Sequence, residues 1–203
     1  MFASNKFLKG LLGAAILAFA TQSAIAAEVA GVKFPDTTKL AGKELKLNGL
    51  GVRSKFFVKV YAAGLYLTEK KTTPEDVFKA EGPRRTTLIM MRDISSDDFG
   101  SGFMSGLNNN LDKAEKAKIV TQISKFGEMF ALLEGLKKGD VLHLDWVPGV
   151  GTSSELNGKK IGETVPDVAF YNAILAIWLG EKPIDTSLKP LLIKADKSDS
   201  KAK

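Results

Sequence analysis

Few side chains in this sequence can do chemistry, and most can be set aside one by one. His143 is the only histidine. In VLHLDW it shares a strand face with Asp145, which would suit a base oriented by a carboxylate. A half-exposed strand histidine beside a carboxylate is the plainer reading. There is no cysteine nucleophile, and no G-x-S-x-G elbow presents a serine. Without cysteine, thiolate-held metals are excluded. The scattered Asp and Glu show no H-E-x-x-H or EF-hand spacing, so no metal or other cofactor is expected. Gly100-Ser101-Gly102 is a fragment of a dinucleotide fingerprint. It lies inside a helical pattern after Asp97 and Asp98, which would repel a pyrophosphate. Asn108-Asn109-Asn110 reads as a helix end or turn, with a pocket wall as the other reading. That leaves Arg53 and Tyr61. Arg53 can hold a carboxylate by a two-pronged charge-assisted bond or serve as a structural arginine near a turn. Tyr61 can donate a further bond or sit at the core edge. Along one straight strand the two would stand ~26 Å apart. They meet only if the chain turns near Ser54-Lys55.

The elements that must position these residues follow from periodicity. Strand-like runs occupy Glu28–Phe34 and Lys39–Leu47, with Asn48-Gly49 and Gly51 as turn signals. Lys55–Leu67 is the longest such run. Its early even positions (Phe56, Val58, Val60, Ala62) are apolar, as for a strand with one buried face. Pro74 opens a short helix closed by Gly82, and Arg84–Arg92 reads as a central strand. Ser95 or Ser96 caps a helix carrying Asp97 and Asp98 in its first turn, with Phe99, Phe103, Leu107 and Leu111 every four residues. Asp112–Lys138 reads as one longer amphipathic helix with Ile119, Ile123, Phe126, Phe130 and Leu133 on one face. Val141–Val147 returns to strand, and Pro148-Gly149 and Asn157-Gly158 mark turns around a hairpin. Pro166-Asp167 starts a last, very apolar helix closed by Gly180. This order gives an α+β fold: one antiparallel sheet with helices on one face.

Residues 1–27 read as a secretory signal peptide. Lys6 and Lys9 form the basic region, Leu11–Ala20 the apolar stretch, and Ala24 and Ala26 the small residues before the cut. About ten apolar residues fall short of the ~20 a membrane span needs. The mature chain of about 176 residues is then exported, with the periplasm as its expected destination and no stable membrane insertion after processing. It is large enough for one cored domain over residues 28–193 without disulfides. The net charge of +6 loses two lysines with the leader. The densest remaining lysines lie in a frayed tail, residues 194–203 (Lys194, Lys197, Lys201, Lys203), interleaved with Asp196 and Asp199. No basic stripe with aromatics appears, so neither nucleic acid nor anionic lipid is expected as a partner. The oligomeric state is left open.

LNGLGVRSKFFVKVYAAGLYL, at Leu47–Leu67, resembles the chalcone isomerase-like family and in particular its exported bacterial members. RDISSDDF, QISKFGEMFALLEGLKKGD and PDVAFYNAILAIWLGEKPID fit in the same order, so the resemblance spans roughly Val29–Leu192. It implies an open-faced β-sandwich with a cleft between sheet and helices for a flat or elongated apolar ligand. Plant members cyclise chalcones, and related plastid proteins bind fatty acids. The G-V-R arginine shared by both groups matches Arg53. Tyr61, in V-Y-A-A-G, stands where the enzymes have threonine and the fatty-acid binders have tyrosine. The enzyme's pocket tyrosine falls on or near Phe99, and its asparagine near Gly106 or Asn108. Its hydroxyl position on the last long helix falls near Ile177, beside Trp178. Cyclisation needs donors for a developing enolate oxygen, and Phe99 and Ile177 lack them. The same replacements suit an alkyl chain lying on Phe99, Phe103 and Trp178, with its carboxylate on Arg53. The expected function is non-catalytic binding of a small lipophilic carboxylate. The alternatives are a chalcone isomerase-type intramolecular lyase and a structural or interaction protein of the periplasm. The leader supplies the first test: the purified protein should begin at Ala27 or Glu28 by mass spectrometry, and intact Met1 in the membrane fraction would refute the reading.

Overall fold

The computed structural model describes residues 26–194. Residues 1–25 of the expected leader and the expected tail from residue 195 lie outside the described residues, whereas Ala26 and Ala27, the last two of the expected leader, belong to the first strand. Among the described residues, nine strands and six helices follow in the order β1 (Ala26–Val29), β2 (Val32–Pro35), β3 (Thr37–Leu40), β4 (Lys43–Lys55), β5 (Val58–Leu67), α1 (Pro74–Phe78), β6 (Arg84–Met90), α2 (Ser96–Asn110), α3 (Lys113–Lys118), α4 (Val120–Ala131), β7 (Val141–Val147), β8 (Gly151–Leu156), β9 (Lys159–Val165), α5 (Val168–Leu179) and α6 (Lys189–Leu192). Strands β3 to β9 form one antiparallel sheet in sequence order, and β1 and β2 form a separate hairpin. The helices pack on one face of the large sheet, the α+β arrangement expected from the sequence. β6 lies at its centre.

Several boundaries differ from the sequence reading, each for a local reason. Glu28–Phe34 is a hairpin, because Ala30 and Gly31 take positive φ and turn the chain. Ala41-Gly42 does the same between β3 and β4. Asn48, Gly49 and Gly51 are not turns but lie inside β4. The Asn48 carboxamide is buried and fully used: it donates to the carbonyls of Lys71 (2.9 Å) and Leu192 (2.8 Å) and accepts from Lys71 N (2.7 Å). The glycines leave room for α6. A Cβ on Gly51 would stand 2.7 Å from a Leu188 methyl, and one on Gly49 would overlap the Leu191 and Leu192 carbonyls. Helix α1 ends at Phe78, four residues before Gly82. The long helix expected over Asp112–Lys138 is two short ones. Asp112 and Glu115 form a reciprocal capping box that starts α3. The helix then breaks at Ile119 (φ −119°, ψ 16°), and Gly135 takes φ 136° before Leu136 bridges to Ile94. Helix α6 carries no cap or periodicity that would mark it in the sequence.

The run Lys55–Leu67 is interrupted at its start. Lys55 pairs with Val58, so Phe56 and Phe57 form a two-residue hairpin loop at φ 50° and 65°. Two positive φ values are what such a loop requires, and Asn-Gly is the usual solution. A side chain bearing Cβ costs roughly 1–2 kcal/mol in this region. From Val60 onward β5 is buried on both faces rather than one. Tyr61, Ala63, Leu65 and Leu67 join the main core under the helices. Ala62 and Tyr66 face the β1–β2 hairpin, packing with Phe34, Leu45 and Leu47, and the Tyr66 hydroxyl donates to Pro35 O (2.9 Å). Helix α5 is apolar nearly all round and buries nine of its twelve residues, as a helix enclosed on every side must.

The outer face of the sheet also carries an ionic cluster. Arg85 holds Asp145 by two bonds of 2.7 and 2.6 Å. His143 Nδ1 instead meets Thr87 Oγ1 at 2.9 Å, so the carboxylate two residues on serves the arginine and does not orient an imidazole base. Burial lowers the His143 pKa below 6.5, and the Arg85 charge lowers it further against the smaller opposing pull of Asp145 and Glu155. The folded protein therefore keeps this ring neutral where the unfolded chain would protonate it. That contribution to stability is complete above about pH 6.5 and is lost as the pH falls below it. Melting temperatures measured from pH 7.5 down to about 5 should decline less steeply for His143→Gln than for the wild type. Parallel curves would show that His143 carries no such linkage.

Candidate ligand-binding site

The hairpin turn at Phe56-Phe57 removes the distance between the two chemical residues. Arg53 on β4 and Tyr61 on β5 are direct cross-strand partners, just before a bulge between Arg53 and Ser54. The Arg53 guanidinium carbon lies 5.4 Å from the centre of the Tyr61 ring, a cation–π geometry. The Tyr61 hydroxyl accepts a 2.9 Å bond from Trp178 Nε1 on α5. Sheet and helix layer are thus joined by a chain of three side chains.

Burial is the main force raising the Tyr61 pKa. The Arg53 charge and the Trp178 bond only partly offset it. Tyr61 is therefore a neutral phenol at physiological pH. Since Trp178 donates to it, its own hydrogen is left for an accepting partner. Arg53 Nε is buried and has no hydrogen-bond partner among the described residues. A buried donor without an acceptor costs about 1–3 kcal/mol, so this atom marks a place where an acceptor is missing.

Both groups border a small cavity of about 20 Å³, whose remaining walls are Phe99, Gly102 and Phe103 of α2, Leu144 of β7, Ile177 and Trp178 of α5, and Ile184. Six of the seven residues selected from sequence (Arg53, Tyr61, Phe99, Phe103, Ile177 and Trp178) therefore converge. The seventh, Asn108, is exposed and lies elsewhere. With Asn109 and Asn110 it lines an open cleft of about 1010 Å³ between α1, the end of α2 and α5. Gly106, the other residue weighed for that position, is buried against α5. A Cβ there would stand 2.7 Å from an Ile177 methyl, so the glycine brings α2 close enough to shut the cavity. The large cleft mixes Asn, Glu and Lys with alanines and the apolar side chains of Phe78, Leu111, Ile119 and Leu179. We take the small cavity as the candidate site because a buried donor without an acceptor, Arg53 Nε, belongs to its lining.

Three contributors escaped sequence reasoning. Leu144 and Ile184 are ordinary apolar residues with no local signal. Asp185, which follows Ile184, accepts from Ser54 N (2.9 Å), Ser187 N and Oγ, and Leu188 N. Burial alone would raise its pKa, but these bonds outweigh that and hold the carboxyl below the usual range. It fixes the strand segment that follows Arg53. Asn110 also matters structurally: its carboxamide ties the end of α2 to Lys182 O and N at 2.9 Å each. The aromatic wall is continuous behind the cavity, with Phe103 stacked on Phe126 at 4.9 Å and Phe99 edge-on to Phe130. Tyr61→Phe should leave the buried Trp178 N–H without its acceptor and lower stability by about 1–3 kcal/mol in denaturant unfolding. An unchanged midpoint would mean that the indole finds another partner.

The described helices include none long and apolar enough to cross a membrane. In sequence, residues 26–193 match the family model described as chalcone isomerase-like. No curated protein matches the chain in sequence. Among solved structures, the crystal structure of the Arabidopsis thaliana fatty-acid binding protein AtFAP1 superposes with a TM-score of 0.69 at 17% identity, covering 83% of this chain and 96% of that one. At that identity the likeness is one of fold, and the match of the family model over nearly all the described residues is what decides membership. The chain belongs to the chalcone isomerase-like family.

Proposed function

We propose that this protein binds a small lipophilic carboxylate, a medium-chain fatty acid being the type ligand, and does so without catalysis. The observation that carries the reading is the buried Arg53 Nε with no acceptor, set beside a neutral Tyr61 phenol and a wall of Phe99, Phe103, Ile177 and Trp178. A carboxylate supplies the missing acceptor, and the wall suits an alkyl chain. Arabidopsis AtFAP1, which shares the fold, is named for the same ligand class. The absence of a hydroxyl on Phe99 and Ile177 argues against the isomerase alternative. We expect no cyclisation of a hydroxychalcone above its spontaneous rate, and saturable turnover abolished by Arg53→Ala would reverse that.

A cavity of about 20 Å³ holds roughly one water, whereas ligand pockets run to about 300–1,000 Å³. On this reading the cavity must open to admit a ligand, and its small volume is also the strongest support for the rival reading of a purely structural protein. The wall suited to yield is α2. It carries Gly100, Gly102 and Gly106 in fifteen residues, each about 0.8–1 kcal/mol less favourable in a helix than alanine. Gly100→Ala fits the closed form, because the added methyl would stand 3.6 Å from the Phe130 ring. It should raise the melting temperature and weaken fatty-acid binding by up to about fivefold, in proportion to the closed state it stabilises.

Calorimetric titration of a medium-chain fatty acid decides among these readings. Arg53→Ala should weaken binding about 10- to 150-fold, the loss of a charge-assisted bond of ~1.5–3 kcal/mol. Arg53→Lys should rescue only in part, because an ammonium lacks the planar fork. Absence of binding by the wild type would favour the structural protein. Equal affinities across the set would show that Arg53 serves only the fold.

A further inference from the structure

Phe56 and Phe57 stand out once the site is accounted for. They are 86% and 105% exposed, side by side at the end of a hairpin, with Val58 also exposed. The backbone there would be better served by Asn-Gly. Instead the chain holds two bulky rings in the left-handed region, at φ 50° and 65°, where nothing in the fold uses them. Local strain of this kind persists where it serves a function. The charges beside the turn are of one sign. Lys55 and Lys59 flank the rings and are exposed. Neither makes an ion pair among the described residues, and the Lys55 ammonium sits over the Phe56 ring at 5.8 Å. Asp185, which accepts from Ser54 N next to the turn, is occupied by backbone and serine donors.

We propose that the Phe56-Phe57 tip docks this protein on an anionic lipid surface, the rings entering the boundary between headgroups and acyl chains and Lys55 and Lys59 lying on the phosphates. Two projecting rings without a surrounding apolar face suit a soft interface, which moulds itself around them. A preformed protein pocket would have to match their shape. Paired lysines beside apolar side chains are the composition of interfacial anchors. Arg53 lies three residues from Phe56 along the strand, about 10 Å, so docking here sets the small cavity next to the bilayer. The inference rests on the turn and its lysines and does not require the fatty-acid reading.

The test is co-sedimentation of the protein, in the form the cell delivers and with its N-terminus read by mass spectrometry, with vesicles of phosphatidylglycerol and phosphatidylethanolamine. Neutral phosphatidylcholine vesicles serve as the comparison. The wild type should bind the anionic vesicles, less at higher salt, and the neutral ones poorly. The double variant Phe56→Asn with Phe57→Gly should lose binding by at least about tenfold while its melting temperature rises, because that pair relieves the turn. Misfolding therefore cannot explain the loss. Lys55→Glu with Lys59→Glu should weaken binding to anionic vesicles alone. Phe57→Trp should keep binding and shift its emission to the blue when vesicles are added. The turn variant should keep its fatty-acid affinity, so the two readings fail separately. The proposal is overturned if the wild type does not bind vesicles, or if the turn variant binds as well as the wild type. It is also overturned if the tip instead drives concentration-dependent dimers that the turn variant abolishes.

Discussion

The burial of β5 on both faces is the constraint from which the rest of the architecture follows. A strand covered on one side can present polar residues on the other, but Val60–Leu67 has water on neither. The helix layer covers Tyr61, Ala63, Leu65 and Leu67, and the β1–β2 hairpin covers Ala62 and Tyr66. Small residues make the second cover possible: a Cβ on Gly64 would stand 2.7 Å from the Phe34 ring. Each large apolar side chain enclosed this way contributes about 1.5–3 kcal/mol. Because each face is filled by its own set, a one-residue slip of β5 against β4 and β6 would swap the two, putting large side chains such as Leu65 where the hairpin leaves room only for Ala62 and Gly64. The Arg53–Tyr61 pairing is a product of that fixed register.

The polar groups inside this frame divide into satisfied and unsatisfied. Asn48 uses both ends of its carboxamide. The fully buried Arg84 has no carboxylate partner among the described residues; its Nη1 bonds to the carbonyls of Val77 and Phe78 and to Asn172 Oδ1, with the Tyr171 ring 5.1 Å away, while its Nε, like Thr86 Oγ1 and Thr152 Oγ1, is left without a partner. Arg84 joins the end of α1 to α5, where carbonyls favour a cation. Arg85 and Asp145 satisfy each other. Of the four buried polar atoms left without a partner among the described residues, only Arg53 Nε belongs to a residue that lines the small cavity between the two layers.

How much was legible in the sequence depended on how local the cause was. Caps and turns with chemical signatures were readable: Ser95 before α2, Pro148-Gly149, Asn157-Gly158, and Asp167 and Gly180 bounding α5. The residues that line the candidate cavity could be picked out through the family resemblance, from G-V-R followed by V-Y-A-A-G and from the helix residues Phe99, Phe103, Ile177 and Trp178. What could not be read was set by tertiary contact or by residues acting against type. Asn48-Gly49 has turn chemistry, but α6 needs the glycine's empty space and Leu192 needs the carboxamide. Phe56-Phe57 has strand chemistry and makes a turn. The split at Ile119 leaves the apolar face of the sequence continuous, so periodicity alone showed one helix. Asn108 was chosen by register from a family asparagine, and the structure puts it on a different cleft.

The contact between α6 and β4 has a consequence for how this protein comes into being. Gly49 admits the Leu191 and Leu192 backbone against the strand, and Asn48 donates to the Leu192 carbonyl. A strand formed from the first third of the chain is thus completed by residues near its end. During synthesis, a nascent chain that has not yet released Leu192 leaves the Asn48 carboxamide short of one acceptor and the Gly49–Gly51 groove uncovered. Native closure of β4 therefore waits for the last turn of helix to emerge, and until then the nascent chain cannot acquire its full stability.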